Sequence, residues 1–245
     1  MSVIVDHLML EVTRKCNMKC EHCLRGASQR KSMSSQVIHQ VMKQFSQIGD
    51  VTFGGGEPTL NLDALHSFFQ ELMWSDTTLG YFYVVTNGKV YRKALIEICD
   101  KLYNVFQEPD MCGLSVSDDI FHRVHRNESR WRNNYRRYTS EEIPYAEPLG
   151  HVVEGYDPKS IINQGRAKQN NIGGRELNES EVTIENFKDE GDYYINCEAG
   201  LYITYDGFVV NGCNWSYGEM KKHIIGNIWN FDECISKLKR GNKND

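Results

Sequence analysis

Cys16, Cys20 and Cys23 fall within the run Cys16-Asn17-Met18-Lys19-Cys20-Glu21-His22-Cys23, a C-x3-C-x2-C spacing directly after an apolar, strand-like segment. Clustered thiols in a chain of this length are metal ligands or catalytic groups more often than a disulfide framework. Three thiols can hold three irons of a cubane cluster, whereas a cluster used only for electron transfer is normally held by four cysteines. The spacing therefore implies an iron left open to another ligand, and a site that does chemistry. A structural zinc ion is the alternative. Against it, zinc knuckles usually pair two C-x2-C units, and the adjacent His22 and Cys23 could not easily share one tetrahedral ion.

A second feature is Gly54-Gly55-Gly56-Glu57-Pro58. A glycine-rich strand end lets a ligand touch the backbone. Glu57 would repel a phosphate, and neither G-x-G-x-x-G nor the Walker pattern is present. Backbone carbonyls beside a carboxylate suit an ammonium group, and a plain tight turn is the alternative.

These residues need elements to position them. His7 to Val12 reads as a strand. Ser34 or Ser35 can cap a helix with the apolar stripe Val37, Ile38, Val41, Met42, Phe45 and Ile48, stopped by Gly49. Asp50 to Phe53 is a strand, Asn61 caps a second helix, Tyr81 to Val85 is a third strand ending at Thr86-Asn87-Gly88, and a third helix carries Ala94, Leu95, Ile98 and Leu102. Met111 to Ser117 is the fourth strand. Alternating strands and helices mean βα units and a parallel sheet. Sites in such sheets gather at the carboxyl ends of strands, where the cysteines, the glycines, Asn87, Ser115 and Ser117 stand. Four strand ends contributing at once favour an open barrel over a flat sheet. The expected fold is therefore α/β, a partial parallel (β/α)6-type barrel over residues 1–175, with a small C-terminal β-hairpin plus helix module over 176–245. Asp119 to Tyr138 reads as a basic helix, Gly150 to Gly155 as a fifth strand, and Gln164 to Asp192 as a polar linker.

The 245 residues suffice for one full domain and a small appendage. Hydrophobic content of 40% and charged content of 25% are ordinary for a globular protein. The longest apolar run, Tyr81 to Val85, falls far short of the ~18 residues that span a bilayer. The first residues lack the basic region and apolar core of a signal peptide, so a cytoplasmic protein with no membrane partner is expected. A net charge of −5 argues against a whole-protein nucleic-acid surface but leaves local patches open.

The chain resembles the radical S-adenosylmethionine (SAM) superfamily over residues 7–123. The resemblance lies in C-x3-C-x2-C after strand one, Gly-Gly-Glu-Pro after strand two, Thr86-Asn87-Gly88 after strand three and Ser115-Val116-Ser117-Asp118 at strand four. Gly165-Arg166-Ala167 resembles a further motif near the end of that core. The resemblance implies that Cys16, Cys20 and Cys23 bind a [4Fe–4S] cluster whose unique iron chelates the amino and carboxylate groups of SAM. It implies that Gly55, Gly56 and Glu57 hold the ammonium, that His22 lies near adenine, and that Asn87, Ser115 and Ser117 place the methionine and ribose. Arg123 or Arg130 would face the carboxylate. Ser117 stands where the family often has aspartate, with Asp118 next, which leaves the ribose contact open. The implied reaction is reductive cleavage of SAM, fed by a reductant such as flavodoxin or ferredoxin. It yields methionine and a 5′-deoxyadenosyl radical that takes hydrogen from a substrate.

Two further cysteines flank a hairpin signal. A two-residue Asp206-Gly207 turn would pair Tyr205 with Phe208 and set Gly200 opposite Cys213, with Cys197 at the same open end. Cys197, Gly207 and Cys213, followed by Ile225-Gly226-Asn227-Ile228, look like a shortened SPASM or twitch module, though no C-x2-C follows. A second iron–sulfur cluster on Cys197 and Cys213 and a metal-free remnant hairpin both remain open. Cys99, Cys112 and Cys234 read as core. Arg123, Arg126, Arg130, Arg132, Arg136 and Arg137 form either a solvated face partnered by the acidic stretch Glu176 to Asp192, or a dock for an acidic peptide or RNA backbone. The leading expectation is a radical SAM enzyme acting on a peptide or protein, although no recognition domain is expected ahead of the first strand. A nucleotide, tRNA or small-metabolite substrate and a non-enzymatic Fe–S/SAM-binding protein are the alternatives.

Overall fold

A computed structural model describes residues 2–125, 127–146, 157–177, 182–187, 192–197 and 199–241. Four βα units come first: β1 (Val3–Thr13) and α1 (Ser35–Gln44), β2 (Gln47–Gly55) and α2 (Leu62–Trp74), β3 (Thr78–Thr86) and α3 (Lys93–Tyr103), then β4 (Gly113–Val116) with α4 (Ile120–Arg123) and α5 (Glu128–Tyr138). After these come α6 (Gly165–Gln169), β5 (Val182–Phe187), β6 (Asp192–Cys197), β7 (Leu201–Ile203), β8 (Phe208–Asn211), β9 (Ile224–Asn227) and α7 (Phe231–Gly241). One sheet runs β4-β3-β2-β1-β7-β8-β9, and β6 also pairs with β1 at its start. The β1–β4 ladder is parallel, as are β1–β6 and β1–β7; the outer C-terminal pairs are antiparallel. This is the expected α/β architecture, an open barrel with a mostly parallel sheet. The strands after residue 176 extend the same sheet.

The helices form where the apolar periodicity places them. The Ser34 hydroxyl caps α1 by accepting from Val37 N, and Val37, Ile38, Val41 and Met42 are buried. Each such side chain contributes about 1.5–3 kcal/mol on full burial. Asn61 sits at the start of α2 but does not cap it. Its amide donates instead to Val12 O (2.7 Å) and Met33 O (3.0 Å), fastening the helix to the end of β1.

Four further sequence expectations need correction. Gly49 does not stop α1, which ends at Gln44; Ile48 and Gly49 lie inside β2. Gly49 has a different task. The buried alternation slips by one between Val5 and Leu8, Ile48 and Val51, and Leu79 and Phe82, at the same level of three paired strands. There a Cβ on Gly49 would come 2.5 Å from Asp6 O, and one on Gly80 2.3 Å from Gly49 O. The basic stretch forms two helices rather than one, because the Asn127 side chain caps a fresh start by accepting from Arg130 N. The expected linker over 164–192 contains α6, β5 and the first residue of β6. The β7–β8 turn has three residues, not two. Leu201 pairs with Asn211, and Gly207 at φ +89° closes the loop with its N–H on Thr204 O (2.9 Å). Ala199 rather than Gly200 therefore faces Cys213, whose N–H donates to Ala199 O. The fifth strand expected over Gly150 to Gly155 lies outside the described residues.

Candidate active site

The carboxyl ends of β1–β4 open into a cavity of about 520 Å³. Its lining includes Cys16, Cys20, His22, Cys23, Gly55, Gly56, Glu57, Asn87 and Ser117, so most of the sequence-predicted residues meet in one place. Two do not. Ser115 is fully buried between Leu114 and Val116, core residues of β4, and its hydroxyl has no hydrogen-bond partner. Arg123 is turned to Asp118 (Nε–Oδ1 3.0 Å), away from the cavity lining. Arg130 is exposed on α5.

The cysteine loop is held by main chain and small side chains. Cys16 N–H donates to Ser28 Oγ (2.9 Å) and Cys23 N–H to Cys20 O (3.3 Å). Gly165 (φ +57°) lies so close beneath the loop that a Cβ would stand 2.1 Å from Leu24 O and 2.6 Å from Cys23 O. From there Arg166 N–H reaches Cys23 O (2.9 Å), and Asn170 Nδ2 reaches Glu21 O (3.0 Å). Burial pushes the Cys16 thiol up and the Cys20 thiol to about 12. Bound metal would reverse that preference, since it takes the thiolate.

The glycine loop is zipped to the root of the cysteine loop. Gly56 N–H donates to Thr13 O (2.7 Å) and Glu57 N–H to Lys15 O (2.8 Å). A Cβ on Gly55 (φ +117°) or Gly56 would lie 2.2 Å from Thr13 O or Lys15 O respectively. With these N–H groups spent, the loop has carbonyl oxygen left to offer, which suits a cation. Glu57 is 2% exposed and accepts from Thr59 N, Thr59 Oγ1, Thr86 Oγ1 (2.7 Å) and Asn87 N (2.9 Å). It therefore fixes the β3 loop as well as lining the cavity. Asn87 in turn donates to Asn17 Oδ1 (2.8 Å), tying that loop to the cysteine loop. Behind it, Asn134 of α5 donates to Gly88 O (3.0 Å) and Lys89 O (3.2 Å).

Sequence reasoning missed Asp119. Its Oδ1 accepts from Phe121 N and His122 N as the cap of α4, and its Oδ2 from His122 Nδ1 (2.6 Å), with His22 Nε2 at 3.7 Å. Burial works against its charge, but the hydrogen bond and charge of His122, with His22 beyond, hold its carboxyl at about 2. His22 stacks on Phe121 with centroids 4.6 Å apart. The cap position after a strand was the available signal. Arg166 lies in a motif visible in the sequence, but its place on the cavity wall beside Cys16 was not.

The profile of the radical SAM superfamily matches residues 10–143. The chain belongs to that superfamily. Among curated proteins it is similar to the GTP 3′,8-cyclases of Pasteurella multocida (31% identical over 130 residues) and Vibrio parahaemolyticus (31% over 132). Each match takes in 48% of this chain and 36% of the relative, so the chain spans about a third of their length. Among solved structures it resembles native anSMEcpe with bound AdoMet and Cp18Cys peptide, at TM-score 0.55 and 13% identity, covering 96% of this chain and 82% of that one. A radical SAM enzyme carries a [4Fe–4S] cluster and SAM, and the residues fit both. The three cysteines share one cavity, and His22, the fourth ligand a zinc ion could draw from the loop, is turned to Asp119 and Phe121 instead. Cys99, Cys112 and Cys234 are buried in the core as expected.

Outside this centre the expectations fare differently. Cys197 is 1% exposed within the large core cluster, whereas Cys213 packs with Tyr202, Val210 and Met220 in a second cluster. The basic residues find local partners: Arg132 with Glu128 (3.0 Å), Arg123 with Asp118, and Arg137 over the Tyr91 ring (3.5 Å). Among the described residues none pairs with the acidic stretch from Glu176. No described helix is long and apolar enough to cross a membrane.

Proposed function

We propose that this radical SAM enzyme cleaves SAM reductively and removes hydrogen from a peptide or protein substrate. The observation that carries the reading is the convergence of Cys16, Cys20 and Cys23 with Gly55–Glu57, Asn87 and Ser117 around one cavity. When bound and reduced, the cluster supplies the electron that splits SAM into methionine and a 5′-deoxyadenosyl radical. The chain's own residues orient and shield that event. Gly55, Gly56 and Glu57 receive the SAM ammonium, Asn87 and Ser117 steady the methionine and ribose, and the stacked His22 borders adenine. Arg166, not Arg123, faces the carboxylate, because it lines the cavity and no described carboxylate pairs with it. A reducing, cytoplasmic setting with a flavodoxin- or ferredoxin-type reductant suits three cysteines that serve as thiolate ligands and not as a disulfide.

The peptide reading draws support from the whole-chain likeness to anSMEcpe, a likeness of fold. The match to the GTP 3′,8-cyclases favours a second reading, radical chemistry on a nucleotide. Anaerobically reconstituted protein given SAM and dithionite is expected to release 5′-deoxyadenosine; its absence would sink the reading. Incubation with a native-host peptide extract or with a nucleotide panel, read by mass spectrometry, separates the two substrate classes.

A further inference from the structure

Asp119, His122 and His22 meet on the cavity wall, and the reading of the cofactor site uses only His22. As the cap of α4, Asp119 needs a single oxygen: Oδ1 takes the N–H groups of Phe121 and His122 (2.9 Å each). Its second oxygen is spent on a ring, accepting from His122 Nδ1 at 2.6 Å. Asp119 is 8% exposed, and its carboxyl is held at about 2, so at neutral pH it is ionised and can only accept. The proton of a neutral His122 ring is therefore fixed on Nδ1, which leaves the lone pair on Nε2. Arg123, the neighbouring cation, is turned to Asp118 (3.0 Å) and leaves the pair alone.

The two imidazoles differ in what a ligand can reach. His22 Nδ1 is buried without a hydrogen-bond partner, its Nε2 faces Asp119 Oδ2 at 3.7 Å, and its ring is stacked on Phe121. His22 therefore presents ring surface. His122 stands edge-on to it with centroids 5.3 Å apart, and its side chain is 15% exposed. Among the described residues nothing hydrogen-bonds to its Nε2, and that atom is not sealed off as His22 Nδ1 is. A carboxylate behind one ring nitrogen and an open lone pair at the other is the arrangement that makes a histidine a directed base. The three side chains also place ligand atoms within 4.8 Å of one another, but a metal ion is the poorer occupant. Ligating histidines donate their other N–H to a partner, and His22 Nδ1 has none.

We infer that His122 is the general base of the substrate-modifying step, with Asp119 as its positioning residue. It takes a proton from an O–H, N–H or S–H group of the substrate. An N–H bond forms at Nε2 as the heteroatom–hydrogen bond breaks, the electron pair stays on the heteroatom, and no electron leaves the substrate. Asp119 keeps its charge and holds the imidazolium, whose proton then passes to water. The hydrogen atom taken by the 5′-deoxyadenosyl radical is a different one, from carbon. This rests on the reading of a radical SAM enzyme above and narrows its substrate to a molecule with a hydroxyl, amine or thiol beside the carbon that is attacked.

The first test needs no substrate. Reconstituted holoenzyme is treated with diethyl pyrocarbonate, with and without SAM, and the carbethoxylated histidines are mapped by peptide mass. His122 is expected to react in both states. No reaction at His122 overturns the assignment, and so does protection by SAM, because the nitrogen would then face the cofactor. Asp119→Asn removes the anchor of the Nδ1 proton and should slow that reaction; an unchanged rate takes Asp119 out of the positioning role. The second test gives the native-host peptide extract, SAM and dithionite to His122→Ala. The yield of modified peptide per 5′-deoxyadenosine should fall about 100-fold, and added imidazole should restore it, which a loss of folding would not permit. An unchanged yield overturns the base. Failure of the parent reading shows elsewhere, as wild-type protein that releases no 5′-deoxyadenosine while His122 still reacts. Where wild-type protein releases it but modifies no peptide, the nucleotide panel takes the place of the extract and the same ratio decides.

Discussion

The two walls of the cavity grip by different means. The wall built on β1, β2 and β3 uses main chain: Gly56 and Glu57 N–H groups bond Thr13 O and Lys15 O, and Glu57 collects four donors. The wall built on β7 and the segment from Trp215 to Met220 uses long side chains, with Arg14 and Arg25 laid over Tyr205, Tyr217 and Tyr202. Main-chain construction leaves little room for change and suits a cofactor that does not vary. Side-chain construction can be re-cut by substitution and suits whatever differs between substrates.

Substitutions should expose that contrast. The largest effect is expected from Cys16→Ala: 5′-deoxyadenosine should fall to background, and full retention would remove the cluster assignment. Next, Glu11→Gln strips the counter-charge from Arg14 on the second wall, where side-chain exposure is 0% and 13% for the pair. Breaking a buried pair costs about 3–5 kcal/mol, and the product-forming reaction should suffer more than SAM binding, as separate kcat and SAM-affinity measurements would reveal. Gly55→Ala attacks the first wall. Its Cβ meets Thr13 O at 2.2 Å in a backbone region that side chains avoid, so a loss of about 1–3 kcal/mol is expected in thermal unfolding. Here SAM affinity should fall in equilibrium dialysis while the Glu11–Arg14 pair of the second wall stays intact; unchanged affinity would take the glycine loop out of the first wall's task.

The smallest effect concerns acid. Asp119 is held at about 2 against an ordinary value of 3.8 by its histidine neighbours, despite burial. Its carboxylate therefore contributes stability that is fully present above about pH 4 and disappears as pH falls toward about 2. The contribution is about 1–2 kcal/mol. An Asp119→Asn variant should show a flatter decline in unfolding free energy over that window.

The first wall was legible in the sequence because its devices are composition. Cysteines at fixed spacing, glycines at a strand end and a strand-end Thr-Asn-Gly each exist for a main-chain reason that few other residues meet. Other parts depended on three-dimensional coincidence. The slip at Gly49 and Gly80 comes from backbone crowding across three strands, and nothing local separates such a glycine from a helix stop. The hairpin register shifted by one because Gly207 closes a three-residue loop, a choice that Asp206-Gly207 also permits for two. Arg25 followed the cysteine motif in plain view, but its place depends on Trp215 O, 190 residues away in sequence.

The seat of Gly165 under Cys23 and Leu24 bears on how the protein is born. Asn170 and Glu21, which close the same contact, are 149 residues apart in the chain. A loop of that size costs substantial entropy to shut, so the cysteine segment has its floor only after the middle of the polypeptide has left the ribosome and folded back. Iron delivered to a nascent chain would meet three thiols on an unsupported loop. Cofactor insertion is then expected to follow completion of the scaffold, and pulse-labelled iron should appear in full-length protein and not in ribosome-bound fragments shorter than the Gly165 segment.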